Sequence, residues 1–327
     1  MKKNHSLGRI CAALKKYDRY LLSCHVAPEG DAIGSLLALD SLLRRLGKNT
    51  TVVCEDPFPE RLTCLSSKKW NLPKDLTKAT LFESAIVVDC PNLDRIGSVK
   101  QFIGPETVVF NFDHHISNDF FGDYNFVRPQ ASATGEVVMM LFHALKISIS
   151  KEEARDLYVA ISTDTGSFKY GNTTAQTHRR ASELINIGIP LEKLNEELYS
   201  TYSLKKINLF GRLLSRVQID AKGAIAWSWI KRRDLEELKA SDEDTEGFVD
   251  FLRYLKEVKI AFTLMEQKEV PFVKVSFRSK GECDVNKIAT AFGGGGHRKA
   301  SGCAFRATIE EAQKVILKRI HEEMAIE

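Results

Sequence analysis

Histidine and carboxylate side chains are grouped in the segment HVAPEGDAIGS, at positions 25–35. The segment follows a short apolar run and precedes a stretch in which leucines recur at helical spacing. His25, Glu29 and Asp31 supply nitrogen and oxygen donors of the kind that bind Mn²⁺, Mg²⁺ or Zn²⁺. Taken alone, Asp31 is also typical of a helix cap and Glu29 of a solvated side chain. The segment therefore indicates a metal site only in combination with others.

Three more groups of aspartate or histidine side chains occur further along the chain, at or after predicted strands and a predicted helix. Asp89 ends the apolar run AIVVD, Asp113, His114 and His115 follow the run TVVFNF, and Asp164 lies in STDTG after a helical pattern. Each has an ordinary alternative, as a turn aspartate or a surface histidine. Because the carboxyl ends of parallel strands meet at one sheet edge, we predict that these side chains surround a shared pair of cations.

The elements that must position these residues alternate between strand and helix. The predicted strands cover residues 20–26, 51–54, 85–89 and 107–113, and the predicted helices cover residues 36–46, 135–146, 151–161 and 174–187. The strand runs are almost wholly apolar, as expected for strands covered on both faces of a parallel sheet. The alternation predicts a doubly wound α/β domain.

The length of 327 residues predicts two domains. We place a metal-binding catalytic domain at residues 1–195, a connecting segment at 196–212 and a smaller α+β domain at 213–327. The predicted strands of the second domain cover residues 217–229, 258–264 and 272–277, and its predicted helices cover 248–255, 285–292 and 308–325.

The second domain contains four consecutive glycines in the segment FGGGGHRKASG, which starts at Phe292. Glycines allow a backbone to approach a ligand closely and leave N–H groups free to bind an anion. His297 and Arg298 follow directly, and this combination points to phosphate. A lone run of glycines is more often a flexible turn.

Composition restricts the remaining function classes only a little. The 47 basic and 43 acidic residues leave a net charge of +4, which permits a nucleic-acid partner without requiring one. The seven cysteines are scattered and form no CxxC pair, which favours a reducing compartment. No segment approaches the roughly 20 apolar residues of a membrane span. We expect a soluble, cytoplasmic protein without a membrane partner.

With these motifs in place, the sequence resembles the DHH phosphoesterase family, in particular its oligoribonuclease and 3'-phosphoadenosine 5'-phosphate (pAp) phosphatase, or nanoRNase, subgroup. The resemblance covers nearly the whole chain and rests on HVAPEGDAIGS, VVD, DHH, STDTGSF, FRS and FGGGGHRKASG. It implies a DHH domain with a parallel sheet, a smaller DHH-associated α+β domain, and an active site in the cleft between them. It also implies hydrolysis of short oligoribonucleotides to mononucleotides, with pAp dephosphorylation as a second activity.

The resemblance also implies two divalent cations, with Mn²⁺ expected first and Mg²⁺ or Co²⁺ as alternatives. The first cation would be held by His25, Glu29, Asp89 and Asp164, and the second by Asp31, Asp89, His114 and Asp164. The family more often has Asp where this chain has Glu29, and an alternative role for Glu29 is to organise a metal-bound water.

Together with the general chemistry of acid–base catalysis, the resemblance also implies which residues act in catalysis and which bind substrate. The expected catalytic residues are His115, Asp89 and Asp31, of which His115 would contact the scissile phosphate or protonate the leaving oxygen. The expected substrate-binding residues are Arg278, Ser279, Gly294, Gly295, Gly296, His297 and Arg298. Two alternatives stay open: a phosphodiesterase of linear or cyclic dinucleotides, and a nucleotide-binding regulator without turnover. A homodimer is also left open.

Overall fold

A computed structural model describes residues 3–59, 62–65, 70–77, 82–200, 202–220, 222–268 and 271–326 of the chain. The chain divides into two compact units, Met1–Thr201 and Tyr202–Glu327. Among the described residues, no helix is both long and apolar enough to cross a bilayer.

The first unit contains a five-stranded sheet in which all neighbouring strands are parallel. Its strands are β1 (Arg19–Cys24), β2 (Asn49–Val52), β3 (Ser84–Val88), β4 (Val108–Asp113) and β5 (Tyr124–Val127), in the order β2-β1-β3-β4-β5. The predicted parallel sheet is confirmed. In this strand order the direction of winding reverses between β1 and β3, and open sheets bind ligands at the carboxyl ends of strands at such a point.

α-Helices cover one face of this sheet and a 3-10 segment with loops covers the other, which explains why its strands are apolar at consecutive positions. The helices are α1 (Leu7–Leu14), α2 (Gly30–Arg45), α3 (Thr134–Leu145), α4 (Lys151–Asp164), α5 (Ala175–Asn186) and α6 (Leu191–Tyr199), with 3-10 segments at Pro73–Asp75 and Leu93–Phe102. Leu22 points into the core formed with α2 to α4, whereas Leu21 packs with Ile96 and Phe102 on the opposite face. Both leucines are fully buried.

The second unit has a six-stranded sheet and is an α+β domain, as predicted. Its strands are β6 (Gln218–Ile219), β7 (Ile225–Ile230), β8 (Ile260–Glu266), β9 (Val273–Ser279), β10 (Gly295–His297) and β11 (Ala300–Phe305), in the order β10-β11-β9-β8-β7-β6. Only the β7–β8 pair is parallel. Its helices are α7 (Leu204–Leu214), α8 (Arg232–Leu238), α9 (Phe248–Arg253), α10 (Val285–Thr290) and α11 (Ile309–Ile326), with a 3-10 segment at Asp242–Thr245.

Two segments differ in detail from the sequence-based prediction. Residues 217–229, predicted as one strand, contain the separate strands β6 and β7, because Gly223 takes a left-handed conformation with φ of 73° and reverses the chain. Residues 196–212, predicted to connect the domains, contain the end of α6 and most of α7.

Candidate metal centre

A buried imidazole in the first unit faces three carboxylates that come from distant parts of the chain. His114, directly after β4, has its Nε2 atom 3.8 Å from Asp31 Oδ2, 3.7 Å from Asp89 Oδ1 and 3.6 Å from Asp164 Oδ2. Asp31 lies in the first turn of α2, Asp89 directly follows β3, and Asp164 ends α4. The parallel sheet and the helices beside it therefore bring these side chains together.

These residues form two overlapping groups whose donor atoms all lie within 4.8 Å of one another. The groups are Asp89, His114 and His115, and Asp31, His114 and Asp164. His25 lies beside the first group, because its Nε2 atom is 3.5 Å from Asp89 Oδ2.

Glu29 lies at the edge of the cluster and belongs to neither group. It occupies the N-cap position of α2, its side chain makes no capping hydrogen bond, and it is exposed. Its charge nevertheless acts on Asp164, where it is one of the influences that raise the carboxyl pKa. Glu29 is thus close enough to influence Asp164 electrostatically, although it belongs to neither donor group.

Charge repulsion between the carboxylates distinguishes this cluster from an ordinary polar core. Burial, followed by the charges of Asp89 and Asp164, raises the pKa of Asp31 well above its usual value. Burial and the charge of Asp89 likewise raise the pKa of Asp164 to about 8. Burial also opposes ionisation of Asp89, but the hydrogen bond from His25 and the neighbouring imidazoles lower its pKa overall.

This donor set fits divalent cations. Two buried carboxylates and a half-buried one placed this close are electrostatically unfavourable unless protons or cations neutralise them. Imidazole nitrogen and carboxylate oxygen are ligands that Mn²⁺ and Mg²⁺ accept.

Hydrogen bonds around the cluster fix both adjacent histidines. His114 Nδ1 lies 3.2 Å from the carbonyl oxygen of Ala131, which leaves its Nε2 atom facing the carboxylates. His115 Nδ1 lies 2.7 Å from Asp113 Oδ1, and the Nδ2 amide of Asn118 donates to Asp113 Oδ2 at 2.6 Å. Although burial opposes it, the Asp113 hydrogen bond raises the pKa of His115 to about 9.

The sequence groups Asp113 with His114 and His115 but assigns it no role of its own, and it does not indicate Asn118. A signal for Asp113 was present, because an aspartate two residues before a candidate catalytic histidine can accept a hydrogen bond from its ring. No comparable signal marks Asn118, whose role depends on how the chain turns after β4.

The backbone near the centre is unusual at Asp89, which has a φ of 56° although it is not glycine. Its N–H donates to the carbonyl of Phe112 at 2.9 Å, which holds the turn in place. Left-handed backbone is costly for such a residue and is concentrated at functional sites. The turn directs the Asp89 side chain towards His114 rather than along the strand.

The basic residues predicted to bind substrate lie in the second unit, where each has an acidic neighbour. Arg278 Nε donates to Asp250 Oδ1 at 3.1 Å, and Arg298 Nη2 donates to Glu282 Oε2 at 2.9 Å. Ser279 is buried, and its hydroxyl donates to the carbonyl of residue 283 at 2.8 Å.

The predicted glycine-rich loop forms the start of a β-hairpin. Gly294 lies so close to β11 that an added Cβ would be 2.1 Å from the Gly302 carbonyl oxygen. Gly295, Gly296 and His297 form the exposed strand β10. Gly296 has a φ of 140°, a conformation that other residues rarely adopt. The glycines therefore permit both the tight packing and the backbone geometry of the hairpin.

Comparison with known proteins shows that a part of each unit matches the sequence profile of a known domain family. Residues 19–161 match the profile described as DHH family, N-terminal domain, and residues 225–325 match the DHHA1 domain. A bifunctional oligoribonuclease and PAP phosphatase NrnA from Thermus thermophilus is 31% identical over 304 residues, which cover 93% of this chain and 89% of that protein. The protein of that name from Bacillus subtilis is 29% identical over 307 residues, covering 92% and 93% of the two chains. The crystal structure of an exopolyphosphatase-related protein from Bacteroides fragilis has a TM-score of 0.90 at 28% identity, covering 97% of this chain and 95% of that one.

Proposed function

This chain belongs to the DHH family, and from that premise we propose that it is a metal-dependent phosphodiesterase that hydrolyses short oligoribonucleotides to mononucleotides and dephosphorylates pAp. Relatives that align over most of their length are named for these two activities. The observation that carries the proposal is the cluster in which His114 Nε2 faces the carboxylates of Asp31, Asp89 and Asp164 at 3.6 to 3.8 Å.

We propose that the centre holds two Mn²⁺ ions, with Mg²⁺ or Co²⁺ able to replace them. Their ligands would be His25, Glu29, Asp89 and Asp164 for one ion, and Asp31, Asp89, His114 and Asp164 for the other. Bound divalent cations supply activation of a water molecule and neutralisation of charge on the phosphoryl group. Glu29 is exposed and belongs to neither donor group, and its alternative role is to organise a metal-bound water.

His115 is the proposed catalytic residue that contacts the phosphate or the leaving oxygen. Asp113 holds its Nδ1 atom at 2.7 Å and favours a protonated ring. A protonated imidazole can donate a hydrogen bond to a phosphoryl oxygen or a proton to the leaving oxygen. Asp113 would act only through His115 and is therefore a positioning residue.

The second unit is proposed to bind the phosphate and nucleotide portions of the substrate. Arg278, Ser279, Gly294–Gly296, His297 and Arg298 are the residues proposed for this role. The exposed glycines of β10 and the guanidinium of Arg298 suit an anionic ligand. Because Asp250 and Glu282 already pair with the two arginines, a bound phosphate would compete with these carboxylates.

The decisive test is turnover of linear and cyclic RNA dinucleotides, a longer oligoribonucleotide and pAp, each labelled and each measured with and without Mn²⁺. We expect Mn²⁺-dependent release of mononucleotide by the wild type and its loss in Asp89→Asn. Asp94→Asn is the matched control, because Asp94 has an 83% exposed side chain paired with Lys100. Exclusive turnover of the linear or cyclic dinucleotides would favour the dinucleotide phosphodiesterase, and binding of nucleotide without turnover would favour the regulator.

A further inference from the structure

The five residues Ala131–Gly135 follow β5, extend into the first turn of α3 and contact two of the proposed carboxylate ligands directly. The Thr134 N–H donates to Asp31 Oδ2 at 2.7 Å, and the Gly135 N–H donates to Asp31 Oδ1 at 2.9 Å. The Thr134 hydroxyl donates to Asp89 Oδ1 at 2.9 Å. One residue, Thr134, thus binds carboxylates from two different elements, and it is fully buried.

The same segment also contacts His114 directly and is connected to Asp164 through Asn172. Ala131 accepts the hydrogen bond from His114 through its carbonyl oxygen. Ser132 accepts a hydrogen bond from the Asn172 amide at 2.9 Å, and that amide nitrogen also lies 3.2 Å from Asp164 Oδ2. Residues 131–135 therefore connect to Asp31, Asp89, His114 and Asp164.

The segment is itself anchored by a buried carboxylate that belongs to neither donor group. Glu136 is 2% exposed and accepts hydrogen bonds from the Ser132 hydroxyl at 2.6 Å and from the Thr177 hydroxyl at 2.9 Å. A buried hydrogen-bonded network of this kind restricts the movement of its side chains. The atoms that contact the ligands are consequently held from both α3 and α5.

We propose that Thr134 is the positioning residue of the metal centre, and that its N–H and hydroxyl orient Asp31 and Asp89 before cations bind. Like-charged carboxylates would otherwise turn away from one another, so donors that fix their oxygens reduce the rearrangement needed on binding. Thr134 contacts ligands and not the reacting atoms. The inference rests on the proposed function, because it presupposes that the cluster binds cations.

The test compares Thr134→Val, which removes the hydroxyl at similar volume, with Thr134→Ser, which retains it. Isothermal titration with Mn²⁺ alone should show a loss of about 10- to 100-fold in affinity for Thr134→Val, the range typical of residues that orient metal ligands. Thr134→Ser should bind within about threefold of the wild type, because its hydroxyl can still donate. At saturating Mn²⁺, Thr134→Val should lower kcat and leave KM for the RNA dinucleotide unchanged.

Tyr20→Phe is the control for loss of a buried hydroxyl. Tyr20 lies near the start of β1, at the opposite end of that strand from His25, and its hydroxyl donates to the Leu14 carbonyl at 2.8 Å. This variant should retain the Mn²⁺ affinity of the wild type even if it melts at a lower temperature. If Thr134→Val does not fold, Thr134→Ala takes its place in the comparison.

The possible outcomes distinguish failure of the proposed function from failure of this inference. A wild type that binds no Mn²⁺ and turns over no substrate would end both. A wild type that binds Mn²⁺ and cleaves RNA, beside a Thr134→Val variant with equal affinity and kcat, would overturn the positioning role alone. A lower melting temperature in Thr134→Val with unchanged affinity would show that Thr134 is only structural.

Discussion

Gly34 is the position at which a single methyl group should disturb both the fold and the metal centre. It lies in α2, three residues after Asp31, where the helix crosses α4. A Cβ atom added there would be 2.2 Å from the carbonyl oxygen of Asp156 and 3.1 Å from the Cβ of Ala160. Because the nearer obstacle is backbone, a side-chain rotation cannot relieve the overlap.

The size of the effect follows from that distance. A close carbon–oxygen contact needs about 3.3 Å, so the two helices must separate locally by roughly 1 Å. Overpacking of this kind costs about 1–3 kcal/mol, and the better helix propensity of alanine returns about 1 kcal/mol. Taking the upper value, we expect Gly34→Ala to lower the free energy of unfolding by about 2 kcal/mol, which corresponds to a fall in Tm of roughly 4–8 °C for a unit of this size.

The same displacement should weaken metal binding, because α2 carries Asp31 and α4 carries Asp164. Metal–ligand distances tolerate deviations of only about 0.2 Å, much less than the expected shift. We therefore expect Mn²⁺ affinity to fall by at least about tenfold.

Calorimetric melting without metal and titration with Mn²⁺ measure the two effects of Gly34→Ala separately. Gly8→Ala is the control, because Gly8 lies in α1 and a Cβ there would meet nothing within 4 Å. That variant should melt at or above the wild-type temperature and bind Mn²⁺ normally. If Gly34→Ala also melts at or above the wild-type temperature and keeps its affinity, the reasoning about helix contact is refuted.

Three further substitutions test other parts of the molecule. Gly296→Ala should raise KM without changing Mn²⁺ affinity, because a side chain is strained at a φ of 140° in the proposed phosphate loop; equal KM in steady-state kinetics would contradict this. Asp234→Asn should lower the free energy of unfolding by about 2 kcal/mol near neutral pH. Burial acts to raise the Asp234 pKa, but the ion pair with Arg216 outweighs it and holds the pKa at about 2. The difference in free energy of unfolding between Asp234→Asn and the wild type, measured in urea, should shrink as pH falls from about 4 towards the folded-state pKa of about 2. A difference that stays constant with pH would exclude the ion pair as the cause. Asn172→Ala should weaken Mn²⁺ binding in calorimetric titration by removing an amide donor to Asp164, and unchanged affinity would show that the amide is dispensable.

Hydrophobic runs were sufficient to predict the sheet, because strands buried on both faces have almost no polar positions. β3 consists of five buried residues, Ser84–Val88, and four of them are apolar. β5 was missed because it is only four residues long, Tyr124–Val127, and contains Asn125. Asn125 is fully buried, and its side chain accepts a hydrogen bond from the Gly122 N–H at 3.0 Å. That contact satisfies a polar residue in a way that hydrophobic periodicity cannot reveal.

Chemical type identified the side chains that face the cluster, but it could not identify the groups that hold them. His114 and Asp89 attract notice because imidazoles and carboxylates bind metals. Ala131 and Gly135 act through a carbonyl oxygen and an N–H that every residue possesses, so nothing in their side chains indicates a role. Thr134 acts in both ways: the sequence shows that it has a hydroxyl that could donate a hydrogen bond, but it gives no sign that its backbone N–H binds Asp31. The geometry of such a centre is therefore determined largely by backbone atoms at the start of a helix, and it becomes visible only once the neighbouring strands and helices are placed in space.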